Sequence, residues 1–241
     1  MPHGFTEMRR TGPGDRRPVD LLIVGAGGMG RAIASLGARD EDEAGHRKWR
    51  VRGFVDDDPA LRGSSVDGWP VLGGLETVAR HPSAQVVVSV CHVDHHGARR
   101  RIVERLGLPA HRYATLVHRS AVVDPGCVIG HGAVIMPMVC VLPGAVIGDH
   151  VIVRPQTMMA ADVSLRDYAT IGAQVFLGRR SVVEEGAYVG AGAKIREYVR
   201  VGPRAVLGMG SLVLDSVPGH GIWAGNPLRF LRPAAAGPRP S

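Results

Sequence analysis

Residues 123–141 read VDPGCVIGHGAVIMPMVCV, and two interleaved columns run through this stretch at a step of six. The first column starts at Val123 and passes through Ile129, Ile135, Val141, Ile147, Val153, Met159, Leu165, Ile171, Leu177, Val183, Val189, Ile195, Val201 and Leu207 to Val213. Every stop is aliphatic or methionine. The second starts at Ala121 and passes through Cys127, Ala133, Val139, Ala145 and Val151 to Ser211, and every stop is small or β-branched. Sixteen hexads follow one another without insertion or deletion. A helix repeats near 3.6 residues and an open strand at 2, so a strict six marks a parallel β-helix. Six residues make one flat side of a triangular coil plus its corner, so a coil takes about 18 residues and the repeat makes about five coils. The aliphatic side chain fills the interior, and the small residue four positions later fits where the chain bends inward. Glycine often follows the aliphatic stop (Gly130, Gly148, Gly172, Gly178, Gly190, Gly202, Gly208), where it is expected to relieve a tight turn.

Outside the repeat the chain is long enough, at 241 residues, for a second modest domain. Residues 1–17 are polar and basic and read as a disordered tail, as do 233–241. The sequence VDLLIVGAGGMGRAIASLGA from Val19 reads as a buried strand, a glycine-rich turn and a helix. Gly25, Gly27 and Gly30 fit G-x-G-x-x-G, which lets backbone turn tightly and approach a phosphate at a helix N-terminus. A second strand ends at Asp56, Asp57 and Asp58, where an acid can hold a ribose, and a third buried strand leads to Cys91. Residues 18–115 therefore read as a small α/β, Rossmann-like unit. It has strands for about one mononucleotide-binding half, which favours a nucleotide or nucleotide sugar over NAD and leaves a purely packing role open. Gly25, Gly27, Gly28, Met29, Asp56, Asp57 and His92 are its candidate substrate contacts. The loop Cys91-His92-Val93-Asp94-His95-His96 follows the third strand; polar contacts to a ligand, a helix-start loop and a metal site are all open readings, and the first is preferred because no second half of a common zinc motif is present. No metal is expected.

The net charge is +7 and the pI about 10.0. Many arginines lie near the chain ends and no aromatic-rich module accompanies them, so an anionic small ligand fits this charge better than nucleic acid. The three cysteines, Cys91, Cys127 and Cys140, do not suggest a disulfide framework, no apolar run is long enough to span a membrane, and no apolar leader is visible at the N-terminus. A cytoplasmic protein without membrane or nucleic-acid partners is the expectation.

Taken together, Gly25-Ala26-Gly27-Gly28, the run Gly53-Phe54-Val55-Asp56-Asp57, uninterrupted hexads and a closing Gly225-Asn226-Pro227 resemble the sugar O-acyltransferase family of sialic acid O-acetyltransferases and bacterial UDP-amino-sugar N-acetyltransferases. The resemblance covers about residues 19–232. It implies an α/β Rossmann-like domain followed by a left-handed parallel β-helix over 116–215 and a cap over 216–232. It further implies a homotrimer, an N-terminal domain holding a nucleotide sugar, and acetyl-CoA or another acyl-CoA as co-substrate between adjacent prisms. Arg179, Gly190, Ala191 and Gly208 are candidate cofactor contacts. The family's chemistry uses a histidine base, which takes the acceptor's proton, and a neighbouring acid that orients it. In the matching stretch Met158-Met159-Ala160-Ala161-Asp162 the acid is present as Asp162, but the base position holds Ala161, and Arg179 stands one coil later where glycine is usual.

Three readings follow. The chain is an acyltransferase acting on an amino or hydroxyl group of a sugar, with a base relocated to His131 or His150, although a solvated turn histidine accounts for either. Or it positions an amine well enough that water takes the proton. Or it is a ligand-binding trimer, or an enzyme of other chemistry, without acetyl transfer. Arg179 would then hold a carboxylate or phosphate.

Overall fold

The computed structural model describes residues 17–42, 44–92 and 97–234. The terminal segments expected to be tails lie mostly outside these residues, as do Val93, Asp94, His95 and His96 of the histidine-bearing loop. The chain divides into two units, one running to Val90 and resuming at Ala98–Ala114, the other taking Cys91–Gly97 and everything from Thr115.

The first unit is built on three parallel strands, β1 (Val19–Val24), β2 (Trp49–Val55) and, after a short antiparallel hairpin of β3 (Ser65–Val66) and β4 (Trp69–Pro70), β5 (Gln85–Val88). The order is β2-β1-β5, with β1 central. Leu21, Leu22, Ile23, Val86 and Val87 are fully buried, as expected of parallel strands covered on both faces. Helix α1 (Gly28–Arg39) follows β1 and packs through Ile33, Ala34, Leu36 and Gly37; α2 (Ala98–Leu106) precedes the return to the second unit. The crossing from β1 into α1 is tight. A Cβ on Gly30 would lie 2.0 Å from the Gly25 carbonyl oxygen, and Gly25 itself takes φ +98, a conformation costly for residues with a side chain.

The second unit is a parallel β-helix. Its strands are two residues long and pair at intervals of 18: Cys140 with Met158, Met158 with Phe176, Val146 with Ser164, Ile152 with Thr170. The first side stacks six strands, from Val122–Val123 to Leu212–Val213, and the second five, from Val128–Ile129 to Arg200–Val201. The third side begins one hexad before the repeat read from sequence, at Leu116–Val117, so the solenoid makes about six turns rather than five. Both sequence columns point inward: Ile135, Met159, Leu165, Ile171 and Leu177 are fully buried, and so are Ala133, Ala145, Val163 and Ala187. Polar members of the small column bond backbone, as Thr157 Oγ1 does to the Gly172 carbonyl at 2.9 Å.

Two features depart from the sequence reading. The glycines that follow the aliphatic stops do not relieve the turn. A Cβ on Gly172, Gly190 or Gly202 would meet backbone of the next coil at 2.3–2.6 Å, so glycine is required there by coil stacking. The left-handed residue lies two positions further on, and it is often not glycine: Met138, His150, Gln156, Asp162, Tyr168, Gln174, Arg180, Tyr198 and Arg204 all have φ between 54 and 64. The repeat also does not stop at Val213. The last coil shortens, so that Val206 pairs with Ile222 and Val201 with Val217, 16 residues apart. Strand Gly221–Ala224 then turns through Gly225-Asn226-Pro227, with a cis Asn226–Pro227 bond, into the antiparallel strand Arg229–Pro233.

The requirement for glycine at the stacked corners is testable by chemical denaturation. Gly190→Ala forces a methyl group against the backbone of Leu207, Gly208 and Met209 and should destabilise the β-helix by about 3 kcal/mol, the upper end for overpacking. Gly28→Ala, at a helical position with nothing within 4 Å of the added carbon, should be neutral or mildly stabilising. Equal effects of the two would contradict the assignment.

Candidate active site

The glycine-rich turn of the first unit is held in shape by groups from all three parallel strands. The Ala26 N–H donates to Asp56 Oδ2 at 2.8 Å, and the Gly25 N–H to the Val55 carbonyl at 2.8 Å. Asp56 Oδ1 accepts the Asp58 N–H at 3.0 Å. The expected ribose-holding acid thus braces the glycine-rich turn through Oδ2 and its own segment through Oδ1, each oxygen with a lone pair left over. Ser89, which the sequence reading passed over, places Oγ 2.8 Å from the Val24 carbonyl and 3.1 Å from that of Gly25. Its signal was only a small polar residue ending a buried strand. Gly27 and Gly28 lie beside them, and a Cβ added to either would have no heavy atom within 4 Å, so the start of α1 is open to a ligand. Met29 is half-buried. Arg31, in the first turn of α1, forms a forked pair with Asp67 at the tip of the β3–β4 hairpin (2.7 and 3.0 Å).

Asp57 has a different role from Asp56. Its Oδ1 accepts the Leu75 N–H at 2.9 Å and its Oδ2 pairs with Arg105 at 2.7 Å. The Leu75 N–H first, and then the Arg105 guanidinium, hold its carboxyl below the ordinary range, against partial burial. Asp57 is therefore spent on joining β2 to the 3₁₀ turn Leu75–Arg80 and to α2. His92 is exposed and groups with the second unit.

In the β-helix the candidate residues fall on three different corners. Ala161, Asp162 and Arg179 share the corner between the first and second sides, His131 and His150 the corner between the second and third, and Gly190, Ala191 and Gly208 the corner between the third and first. Within one chain, neither histidine shares a corner with Asp162. His150 is buried rather than solvated: its ring stacks on Tyr168 of the next coil (centroids 5.2 Å apart, 8° between planes), and a Cβ on Gly132 would lie 2.5 Å from its Nδ1. His131 is half-buried. Its N–H donates to Asp149 Oδ1 at 2.7 Å and its carbonyl accepts the His150 N–H at 2.8 Å. Gly190 and Gly208 are both accounted for by stacking, Gly208 against Ala224.

The corner at Ala161 is the chemically distinctive one. Successive coils are tied through it by backbone bonds: Asp162 N–H to the Pro143 carbonyl, Arg180 N–H to that of Ala161, Tyr198 N–H to that of Arg179. Asp162 is exposed, and its Oδ2 lies 3.3 Å from Arg180 Nε and 3.7 Å from Arg179 Nε. The acid expected to orient a base thus faces two guanidinium groups. Arg180 was missed by the sequence reading, because outward residues carry no period.

Two family profiles match the chain: the PglD N-terminal domain over residues 20–106 and the bacterial transferase hexapeptide (six repeats) over 126–161. Among known proteins, the GDP-perosamine N-acetyltransferase of Escherichia coli O157:H7 is 31% identical over 172 residues, 71% of this chain and 75% of that one. The UDP-N-acetylbacillosamine N-acetyltransferase of Bacillus subtilis (strain 168) is 31% identical over 126 residues, 48% of this chain and 51% of that one. Among solved structures, the acetyltransferase domain of PglB from Neisseria gonorrhoeae FA1090, in complex with acetyl coenzyme A, superimposes with a TM-score of 0.76 at 27% identity, covering 89% of this chain and all of that one. The fold and repeat define a hexapeptide-repeat transferase scaffold. The chain belongs to the hexapeptide-repeat sugar acyltransferase family that includes the bacterial nucleotide-amino-sugar N-acetyltransferases.

The bracing role of Asp57 predicts a pH dependence. Because its folded-state pKa is lowered, its contribution to stability is complete above the unfolded carboxylate value of about 3.9 and is lost as pH falls through the lower folded value. Asp57→Asn should lower stability at neutral pH and flatten the fall in stability between about pH 5 and pH 2, measured by urea midpoints across that range. An unchanged slope would show that the carboxylate is not engaged in solution.

Proposed function

We propose that this chain transfers an acyl group from acetyl-CoA or another acyl-CoA to an amine, or a hydroxyl, of a nucleotide-linked amino sugar, as a cytoplasmic homotrimer. The observation that carries this reading is that the match to acetyltransferases spans both units: 75% of the length of the GDP-perosamine enzyme and all of the PglB domain. Residues 18–115 serve as the nucleotide-sugar unit, through the open backbone at Gly27 and Gly28 and the spare lone pairs of Asp56, with 116–215 as the catalytic prism. One relative is named for a GDP-linked and the other for a UDP-linked sugar, so the base is left unassigned. A cytoplasmic setting suits acyl-CoA and nucleotide sugars, and no helix among the described residues is long and apolar enough to cross a membrane. Trimerisation is supported by the outward row of the first side, Val122, Cys140, Met158, Phe176, Lys194 and Leu212, which is apolar but for one lysine and leaves Val122 67% exposed.

The reaction follows from the groups at hand. The acceptor nitrogen attacks the thioester carbonyl carbon, the new C–N bond forms as the C–S bond breaks, and CoA leaves as the thiol. One amine proton goes to that sulfur, by way of water. With Ala161 in place of a histidine, no side chain at this position takes the proton, and rate comes from holding the two reactants together. A general base contributes about 10²–10⁴-fold where present, so turnover should be slow. A second reading, binding without transfer, is favoured by the same corner: Asp162 faces Arg179 and Arg180 instead of orienting a base.

Incubating the full chain with acetyl-CoA and a panel of GDP- and UDP-linked amino sugars, while following free thiol, separates the two. We expect slow turnover in the native chain and at least a ~10-fold gain in Ala161→His. Binding of both substrates by calorimetry with no turnover in either protein would establish the binding reading. No binding of CoA would remove both.

A further inference from the structure

We infer that Arg179 and Arg180 form a receptor for a carboxylate carried by a substrate, and that Asp162 occupies this receptor when no substrate is bound. The inference deepens the acyltransferase reading by adding a chemical requirement on one of its substrates, and it rests on that reading.

The charge balance at the corner is uneven. Two guanidinium groups, 53% and 55% exposed, lie within 4 Å of a single carboxylate, Asp162. Among the described residues, neither arginine has another ion-pair partner. Geometry makes the same point. Arg180 Nε is within hydrogen-bonding reach of Asp162 Oδ2 at 3.3 Å, but Arg179 Nε, at 3.7 Å, is not. Each guanidinium offers five N–H donors in a fixed planar fork, so most of the donors at this corner are unspent. Both contacts fall on the same oxygen, Oδ2, so Asp162 meets neither arginine in the two-oxygen arrangement that guanidinium groups favour.

The backbone explains why Asp162 occupies the receptor incompletely. Asp162 is held at φ 62 in its turn, with its N–H committed to the Pro143 carbonyl, so its short side chain starts from a fixed point. Its Oδ1 lies 2.4 Å from where a Cβ on Gly144 would be, so the carboxylate lies against the preceding coil. From this position Asp162 hydrogen-bonds one fork, that of Arg180, and not the other. A carboxylate on a free ligand has no such tether. Ala161, the residue before Asp162, adds only a methyl group, which leaves room beside the acid where a larger side chain would stand. Exposure of all three side chains means that exchanging one carboxylate for another needs no opening of the core.

Arginine suits this task better than lysine would, because a planar fork matches a planar carboxylate. Glu197, the next acidic residue along the same corner, forms no ion pair with Arg179 among the described residues, so the Arg179 fork is not held by that acid. The carboxylate can come from either reactant: from the acyl group, as in a dicarboxylic acyl-CoA, or from the acceptor, as in an amino sugar oxidised to a uronic acid.

The test compares ligands that differ by one carboxylate, using the full chain and isothermal titration. In the donor arm, succinyl-CoA is set against acetyl-CoA. In the acceptor arm, a nucleotide amino-uronic acid is set against its neutral counterpart. We expect a preference of about tenfold or more for the acid in one arm, which identifies the reactant that carries it. Arg179→Gln with Arg180→Gln should reduce that ratio to within about twofold. Asp162→Asn supplies a result of opposite sign: removing the resident carboxylate should tighten binding of the acid-bearing ligand severalfold, whereas an acid serving only to position a base would leave affinity unchanged. Equal binding in both arms, or a preference that survives the double arginine substitution, or weaker binding in Asp162→Asn, would overturn the inference. Acetyl-CoA and a neutral sugar binding normally in that event would leave the acyltransferase reading intact.

Discussion

The β-helix depends on one constraint: until the last coil, each strand of the prism lies directly against the strand 18 positions away. The constraint arises from backbone pairing, since each two-residue strand hydrogen-bonds to the strand one coil before and one coil after. It is enforced again at the corners, where the N–H of the left-handed residue reaches the carbonyl of the coil before, as from Asp162 to Pro143 and from Arg180 to Ala161. A fold of this kind has no long-range packing to negotiate. Each coil contacts its neighbours, and stability accumulates along the stack. The cost is that the interior admits no change of spacing, which is why the hexads run without a break until the final coil.

This ladder also determines what can meet at the surface. Residues adjacent in one turn and residues 18 apart are neighbours, so substitutions at 161, 179 and 180 bear on one another even though they are remote in sequence. Read singly, Ala161 is a missing base and Arg179 an oversized residue. Read as a corner, they form one arrangement: an acid with alanine beside it and two guanidinium groups from the next coil close to its carboxylate. The histidines offered as replacements stand on another corner, and His150 is enclosed by Gly132, its own coil and Tyr168. For either to reach Asp162, the corner of one chain would have to face a different corner of another.

The interior was legible in the sequence because it is periodic, and a periodic signal sustained over sixteen hexads leaves little choice of fold. The corners were not, for two physical reasons. Solvent-facing side chains obey no repeat, so Arg180 gave no sign that it meets Asp162. Glycine, besides, is informative about crowding and about backbone conformation, and sequence alone does not separate the two. Gly190 satisfies the first need, while the left-handed φ is carried by residues such as Asp162 and Gln174. The same ambiguity shaped the reading of the first unit. The acid after β2 lies beside the glycine-rich turn, and the hydrogen bond from Ala26 to Asp56 gives it a bracing role that a ribose-binding reading does not require.

The left-handed corner residues explain how such an arrangement can occur without harm to the scaffold. An L-residue at φ near +60 costs roughly 1 kcal/mol relative to glycine, and this chain accepts that cost at corner after corner. Most of these residues point to solvent and offer functional groups in return, with rungs such as Gln174 to Gln156 recovering part of the cost. Stability therefore resides in the inward columns and the stacked backbone, and chemistry in side chains that those columns do not constrain. The corner carries two guanidinium groups while Met159, Val163 and Leu177 beneath it stay fully buried. An intact prism is consequently weak support for any particular reaction. The family match sets the class of reaction, and the charge and hydrogen-bonding capacity of the corner decide which substrate binds there.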